Sequence, residues 1–231
     1  RGGQGCGRKG ASASMEGKMA VALREGERAV LAERLWGNRE TALRQALLVA
    51  FGVAALILSA KLRVPLPFTP VPVTGQTLVV LAVAAGYGPR LGLLTILAYL
   101  AVGAAGFDVF TGSSATNLGL AYMSGATGGY LAGFAAASVV MGMLARRGWD
   151  RSVPGMAGAM VVGNLVIYAL GLAWLYVLIA GGLYDAERHS SMLSQTLAWG
   201  LYPFLVGDAL KVALGALALP AIWRLAGEAR G

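Results

Sequence analysis

The sequence predicts an all-α membrane protein, a bundle of six transmembrane helices. Three observations predict it. Hydrophobic residues make up 57% of the 231 residues and charged residues only 13%, against about 45–50% and about 25% in ordinary soluble domains. Six apolar segments follow one another closely after residue 40, with the size and spacing of membrane spans. Basic residues gather on alternate loops, which is how spans are oriented in a bilayer.

The elements are taken in chain order. Residues 1–14 are Gly, Ser and basic residues without apolar periodicity, the composition of a disordered tail. Met15 and Met19 are both candidate translation starts. No apolar core follows these basic residues, so they do not read as a signal peptide. Residues 19–36 place Leu23, Val30, Leu31, Leu35 and Trp36 among Arg and Glu, which suits either a short interfacial helix or a solvated tail helix. The expected organisation is a tail over 1–40, a membrane domain over 41–226 and a C-terminal tail over 227–231.

The first apolar segment runs from about Thr41 to Ala60 and the second from Thr74 to Gly86. The third covers Leu91 to Gly106, the fourth Thr127 to Ala145, the fifth Val153 to Ala180 and the sixth Gln195 to Leu225. A spanning helix needs about 20 residues, so the second and third are at or below the limit. With the N-terminus inside, Arg39, Arg44, Arg90, Arg146, Arg147, Arg151, Arg224 and Arg230 fall on inner loops. Only Lys61, Arg63 and Arg188 fall on outer ones. The positive-inside rule then puts both termini in the cytoplasm.

Composition excludes several functions. The net charge of +8 is split evenly: residues 1–44 hold nine basic and five acidic residues, and the rest is spread over loops. No basic stripe interleaved with aromatics is present, so nucleic acid is not an expected partner. Cys6 is the only cysteine and His189 the only histidine, which argues against an internal disulfide, an iron–sulfur cluster and a His/Cys metal site. No phosphate-binding Gly-rich loop ending in Lys-Ser/Thr is found, so the chain is not expected to hydrolyse ATP itself. A nucleophile elbow and paired intramembrane carboxylates are also missing. No inverted repeat of broken helices stands out, which weakens a secondary-transporter reading.

Several features are candidates for function. Pro65 to Pro72 holds four of the eight prolines and cannot be helical; it is an extended stretch, either a cap over a binding site or a plain rigid loop. Thr74 and Gln76 follow it. Asp208 and Lys211 sit inside the sixth segment at i, i+3, on one helix face. A charge in a helix centre costs about 2.5–3.5 kcal/mol on insertion scales, so the two must pair as a structural staple or bind a ligand. Asn164 and Tyr168 share a face of the fifth segment at i, i+4, and a buried Asn needs a partner, either in a cavity or on a neighbouring helix. Tyr130 opens the fourth segment, where interfacial tyrosines are common, and Asn117 lies in the polar loop before it. Ala42, Ala46, Ala50 and Ala54 form a ladder of period four, a surface for close helix approach by a partner or within the bundle. Gly125, Gly129 and Gly133 repeat the spacing, and there internal packing is expected.

Four stretches in this order carry a family resemblance: Pro67-Phe-Thr-Pro-Val-Pro-Val-Thr-Gly-Gln-Thr77, Gly88-Pro-Arg-Leu-Gly92, Gly125-Ala-Thr-Gly-Gly-Tyr130 and Pro203-Phe-Leu-Val-Gly-Asp-Ala-Leu-Lys211. Over about residues 40–225 the chain resembles BioY, the biotin-binding S component of energy-coupling factor (ECF) transporters. The resemblance implies a six-helix fold of the S-component type, capture of biotin from outside, and no catalysis or cofactor of its own. It implies two ABC ATPases, which use the ATP, and a transmembrane coupling subunit as partners. It assigns substrate contact to Asp208 and Lys211 and the docking surface to Ala42, Ala46 and Ala50. Gln76, Tyr130, Asn117, Asn164 and Tyr168 complete the expected substrate site. The chain departs from the family at Ala126, where Pro is usual, and over Thr111 to Asn117, where the family is Gly-rich. The competing readings are an S component for another vitamin, an intramembrane enzyme with Asp208 or Lys211 as base, and a membrane scaffold without ligand.

Overall fold

The computed structural model describes residues 29–36, 41–114 and 116–228. Among them the elements are α1 (Leu31–Trp36), α2 (Ala42–Lys61), β1 (Arg63–Val64), β2 (Val73–Thr74), α3 (Gln76–Ala104), α4 (Gly119–Met123) and α5 (Gly128–Arg146). A 3-10 turn at Trp149–Arg151 leads into α6 (Val153–Leu178), which ends in a π turn at Ile179–Leu183; α7 (Met192–Gly200) and α8 (Leu205–Glu228) complete the chain. Five of these helices (α2, α3, α5, α6 with its π turn, and α8) are long and apolar enough to cross a membrane. The protein is a multi-pass, all-α membrane protein.

The second and third apolar segments form one hairpin. Within α3, Gly88 has φ 81° and ψ 177° and is followed by Pro89. That backbone region is essentially reserved for glycine, and Pro89 restarts the helix at its first turn. The chain folds back on itself there: a Cβ on Gly92 would lie 3.1 Å from the Ala84 Cα, although eight residues of straight helix span about 12 Å. The arms over residues 76–87 and 89–104 are about 18 and 24 Å long at 1.5 Å per residue. Both are shorter than a hydrocarbon core of about 30 Å. The expectation of two short segments therefore holds.

Glycines set the helix contacts. Gly52 of α2 faces Thr95, with a Cβ position 2.5 Å from its methyl carbon. Gly133 of α5 lies against the Ile167 backbone of α6, and a Cβ on Gly129 would collide with Trp174. Gly142 packs on Gly88 and Pro89 at the hairpin tip. The close spacing expected of Gly129 and Gly133 is thus used for internal packing between α5 and α6.

The sixth apolar segment is not one helix. It is broken between α7 and α8 at residues 201–204. Pro203 has no N–H to donate and opposes helix through the preceding residue. The N–H groups of Leu201 and Tyr202 both turn back to the Leu197 carbonyl. This break re-aims the chain, so that α8 starts at Leu205 and carries Asp208 in its first turn.

At the end of the bundle carrying Arg146, Arg147 and Arg151, α1 docks on the hairpin tip. Val30, Leu31 and Ala32 are buried, and a Cβ on Gly88 would sit 3.2 Å from Val30. Glu33 pairs with Arg146 at 2.7 Å, and the Arg44 guanidinium donates to the Ala32 carbonyl. Residues 29–36 are therefore packed onto the bundle and do not form a free tail helix. The expectations for residues 1–28, including the candidate starts Met15 and Met19, fall outside the described residues, as do those for Arg39 and residues 229–231.

Two glycines two residues apart test the hairpin. Gly88→Ala should destabilise the protein by about 1–3 kcal/mol, the cost of a side chain in that backbone region. Gly86, helical and with open space where a Cβ would go, should tolerate alanine with a gain of up to about 1 kcal/mol. Thermal unfolding of both variants in detergent checks the opposite signs.

Candidate functional site

A cavity opens at the other end of the bundle, where α3, α5, α6 and α8 converge under the looped 65–74 stretch. About 60 Å³ of it is open to the centre of a water molecule. Its wall is mostly apolar, with Val71, Leu131, Phe134, Ile167 and Phe204 among the lining residues. Polar groups line it too, and its charged pair, Asp208 and Lys211, lies at one side.

That side is built from the N-terminus of α3 and the first turn of α8. The Lys211 Nζ donates to Asp208 Oδ1 at 2.8 Å and to the Thr77 hydroxyl at 3.1 Å. The Thr77 hydroxyl lies 3.3 Å from the same Asp208 oxygen, and the Tyr168 hydroxyl donates to Asp208 Oδ2. Asp208 is 6% exposed and the Lys211 side chain 13%. The i, i+3 pair expected from the sequence is thus formed, closed by a threonine and a tyrosine, and its net charge is zero. A buried pair of this kind survives only if its remaining donors and acceptors are also satisfied.

Asn164 stands one helical turn before Tyr168 on α6. It lines the cavity and is 8% exposed, and its Oδ1 has no hydrogen-bond partner. Buried side-chain acceptors are nearly always satisfied, so an orphaned one facing a cavity marks where a donor is to be supplied. Gln76, also buried, donates its Nε2 to the Tyr99 hydroxyl at 2.8 Å, and Tyr99 donates to the Val109 carbonyl.

Tyr130 is buried, which corrects the interfacial position expected for it. Its hydroxyl donates to the Gly200 carbonyl at 2.8 Å, at the break between α7 and α8. Its ring occupies the space left by Gly171, so the site of an interfacial tyrosine is here a cross-link between three helices.

Two connections shape the mouth. The 65–72 stretch is non-helical as expected, but it is not a straight extended segment: it turns at 67–68 and reverses the chain, and it is pinned at both ends. Arg63 and Val64 pair antiparallel with Thr74 and Val73, and the Thr69 hydroxyl donates to the Trp199 carbonyl at 2.6 Å. Val71, Pro72 and Thr74 line the cavity. The loop after α3 brings Phe110 and Thr111 to the opposite lip. Phe110 stacks on Tyr122 and meets Tyr99 edge-on, and only a glycine at 103 leaves room for its ring. Lys61 fastens this loop to the end of α2, with its Nζ 2.7 Å from Asp108 Oδ1 and 3.2 Å from the Phe110 carbonyl.

The cavity therefore gathers Gln76, Tyr130, Asn164, Tyr168, Asp208 and Lys211. It does not gather Asn117, which is exposed and forms an isolated backbone bridge with Ser114. Thr77, Thr127, Phe110 and Tyr122 line the cavity without having been singled out from the sequence. Thr77 and Thr127 carried a signal there, as members of the Pro67–Thr77 and Gly125–Tyr130 stretches. Ala42, Ala46 and Ala50 all lie on the exposed face of α2, beside Leu43, Leu47 and Phe51, which are also exposed. No group of three or more His, Cys, Asp or Glu that could hold a metal exists among the described residues.

The sequence model of the BioY family matches residues 32–228. The chain belongs to the BioY family. A probable biotin transporter BioY of Pyrococcus horikoshii is 34% identical over 166 residues, covering 72% of this chain and 88% of that one. The biotin transporter BioY of Rhizobium etli is 32% identical over 77% of this chain and 87% of its own. The fold is that of a crystal structure of the S-component for biotin from an ECF-type ABC transporter. The TM-score is 0.63 at 21% identity, over 80% of this chain and 95% of that one. The BioY match begins within α1, so the docked segment at the basic end falls largely inside the family's extent.

Two measurements test the site in the absence of ligand. Lys211→Met should cost up to about 3–5 kcal/mol, because it leaves Asp208 buried beside an apolar group. Adding Asp208→Asn should recover most of that loss, as read by thermal unfolding of the single and double variants. The loop latch should respond to pH. Bonds from Lys61 and Ser113 hold the Asp108 carboxyl below its usual range. Its contribution is present above the ordinary carboxylate range and is lost as pH falls through the lowered value. Hydrogen exchange of residues 107–114 should therefore quicken only in strong acid, and at neutral pH in Lys61→Met.

Proposed function

We propose that this chain captures biotin in the cavity between α3, α5, α6 and α8 and serves as the substrate-binding subunit of an ECF transporter. The observation that carries the reading is the unpartnered Asn164 acceptor beside a neutral, buried Asp208–Lys211 pair in a cavity whose exposed wall is mostly apolar. The ureido ring of biotin brings two N–H donors and one carbonyl acceptor. The donors suit Asn164 Oδ1 and the remaining lone pairs of Asp208, and the carbonyl suits the third Lys211 proton. The thiophane ring and valeryl chain suit the walls formed by Leu131, Phe134, Ile167 and Phe204.

The family and its relatives support transport over chemistry. Relatives are named biotin transporters, and the structural neighbour is an S-component. In the proposed role the chain binds and releases biotin unchanged and needs no cofactor. ATP is used by two ABC ATPases acting through a transmembrane coupling subunit. The outward face of α2, with Ala42, Ala46 and Ala50 among exposed Leu43, Leu47 and Phe51, is the proposed docking surface, since small residues let a second helix approach closely. Arginines gather at the end opposite the cavity, so the positive-inside rule supports cytoplasmic termini and a cavity facing outward.

Calorimetric titration of biotin into purified, ligand-free protein tests the reading. One-to-one binding is expected, weakened at least tenfold in Asn164→Leu and more in Asp208→Asn. Folded protein that takes up no biotin would sink the assignment, and mass spectrometry of the recovered ligand separates capture from conversion.

A further inference from the structure

We infer that Arg63, at the mouth of the cavity, is the residue that recognises the carboxylate of the captured ligand. The inference rests on the biotin reading and assigns which end of the ligand faces out. Lys211 is poorly suited to that task. Its charge is already balanced by Asp208 at 2.8 Å, and a carboxylate brought beside the pair would leave the buried site with a net negative charge.

The cations near the mouth are Lys61, Arg63 and Arg188. Lys61 is bound to Asp108 at 2.7 Å and Arg188 to Asp185 at 3.5 Å. Arg63 is exposed and makes no side-chain hydrogen bond or ion pair among the described residues. Its place is set by structure on both lips of the cavity. Its backbone pairs with Thr74, which lines one lip. Its Nη1 lies over Gly112, next to Thr111, which lines the other. Gly112 has φ +71°, and a Cβ there would collide with that guanidinium nitrogen. The glycine therefore provides both the turn and the seat for the arginine. The nearby carboxylate, Asp108, is already engaged by Lys61 and Ser113. A guanidinium offers five donors in a planar fork matched to a carboxylate, and at the mouth the ligand anion keeps part of its hydration. The ureido end then faces Asn164 and Asp208, and the valeryl chain runs along the apolar wall.

The test titrates wild type, Arg63→Gln and Arg63→Lys with biotin and with biotinamide, which keeps the ring and chain but lacks the charge. Wild type should prefer biotin. Arg63→Gln should weaken biotin roughly 10–100-fold, the range of a charge-assisted hydrogen bond, and leave biotinamide within about twofold, which also shows that the variant is folded. Arg63→Lys should fall between. Equal loss for both ligands, or an unchanged affinity for biotin in Arg63→Gln, would overturn the assignment while leaving biotin capture intact. Wild type that binds neither ligand would instead remove the biotin reading, and this inference with it.

Discussion

The Lys211 ammonium ties together parts of the chain that are far apart in sequence. One of its protons goes to Asp208 on its own helix and another to Thr77 at the start of α3. Tyr168 of α6 meets the same carboxylate. Three helices are thereby joined at one buried charge pair. In a hydrocarbon setting each of these groups would be costly alone. They are tolerable together because each satisfies the next. The pair also sets what the cavity can hold: with its charge cancelled internally, the deep end favours a neutral polar group.

The pair meets Thr77 only because α3 begins where it does. The first arm of the hairpin, residues 76–87, is too short to cross a bilayer, so its N-terminus lies part-way along the bundle. Non-helical backbone at such a position needs protein or a water-filled cavity beside it. Here it gets protein, through the Thr74 pairing and the Thr69 bond to Trp199. The arm is held at its other end by Gly88, which reverses the chain against Gly142 and Val30. Turn, short arm and looped cap are one device, and the charged pair of the cavity lies at its end.

Much of this was legible in the sequence, for physical reasons that differ by element. Apolar runs bounded by arginines and prolines reveal helices because length and hydropathy are local properties. Asp208 and Lys211 stood out because charge inside an apolar run is costly wherever it occurs. The hairpin reversal was not legible, because Gly88-Pro89 reads equally as a loop between two spans and as a fold-back. The break at residues 201–204 was missed because Leu201, Tyr202 and Phe204 keep the stretch apolar on either side of Pro203. Tyr130 was misplaced because its burial depends on Gly171 and Gly200 of other helices. Asn117 was drawn in by residue type alone, and its loop presents Phe110 and Thr111 to the cavity instead.

The same geometry bears on how a captured ligand is released. Asp208 is bonded on both oxygens and Lys211 to two oxygens. A ligand that touches Asn164 on α6 and Asp208 on α8 stabilises their present arrangement around α3, and by reciprocity any force that separates these helices weakens the ligand. An external input can do this only by binding the separated arrangement better than the closed one. Among the membrane-spanning helices α2 is the least covered, with 17% of its most apolar stretch buried. It joins both lips of the cavity, through Lys61 to the Phe110 loop and through Arg63 to Thr74. A partner acting on α2 would therefore reach the mouth directly, without passing through the buried charge pair.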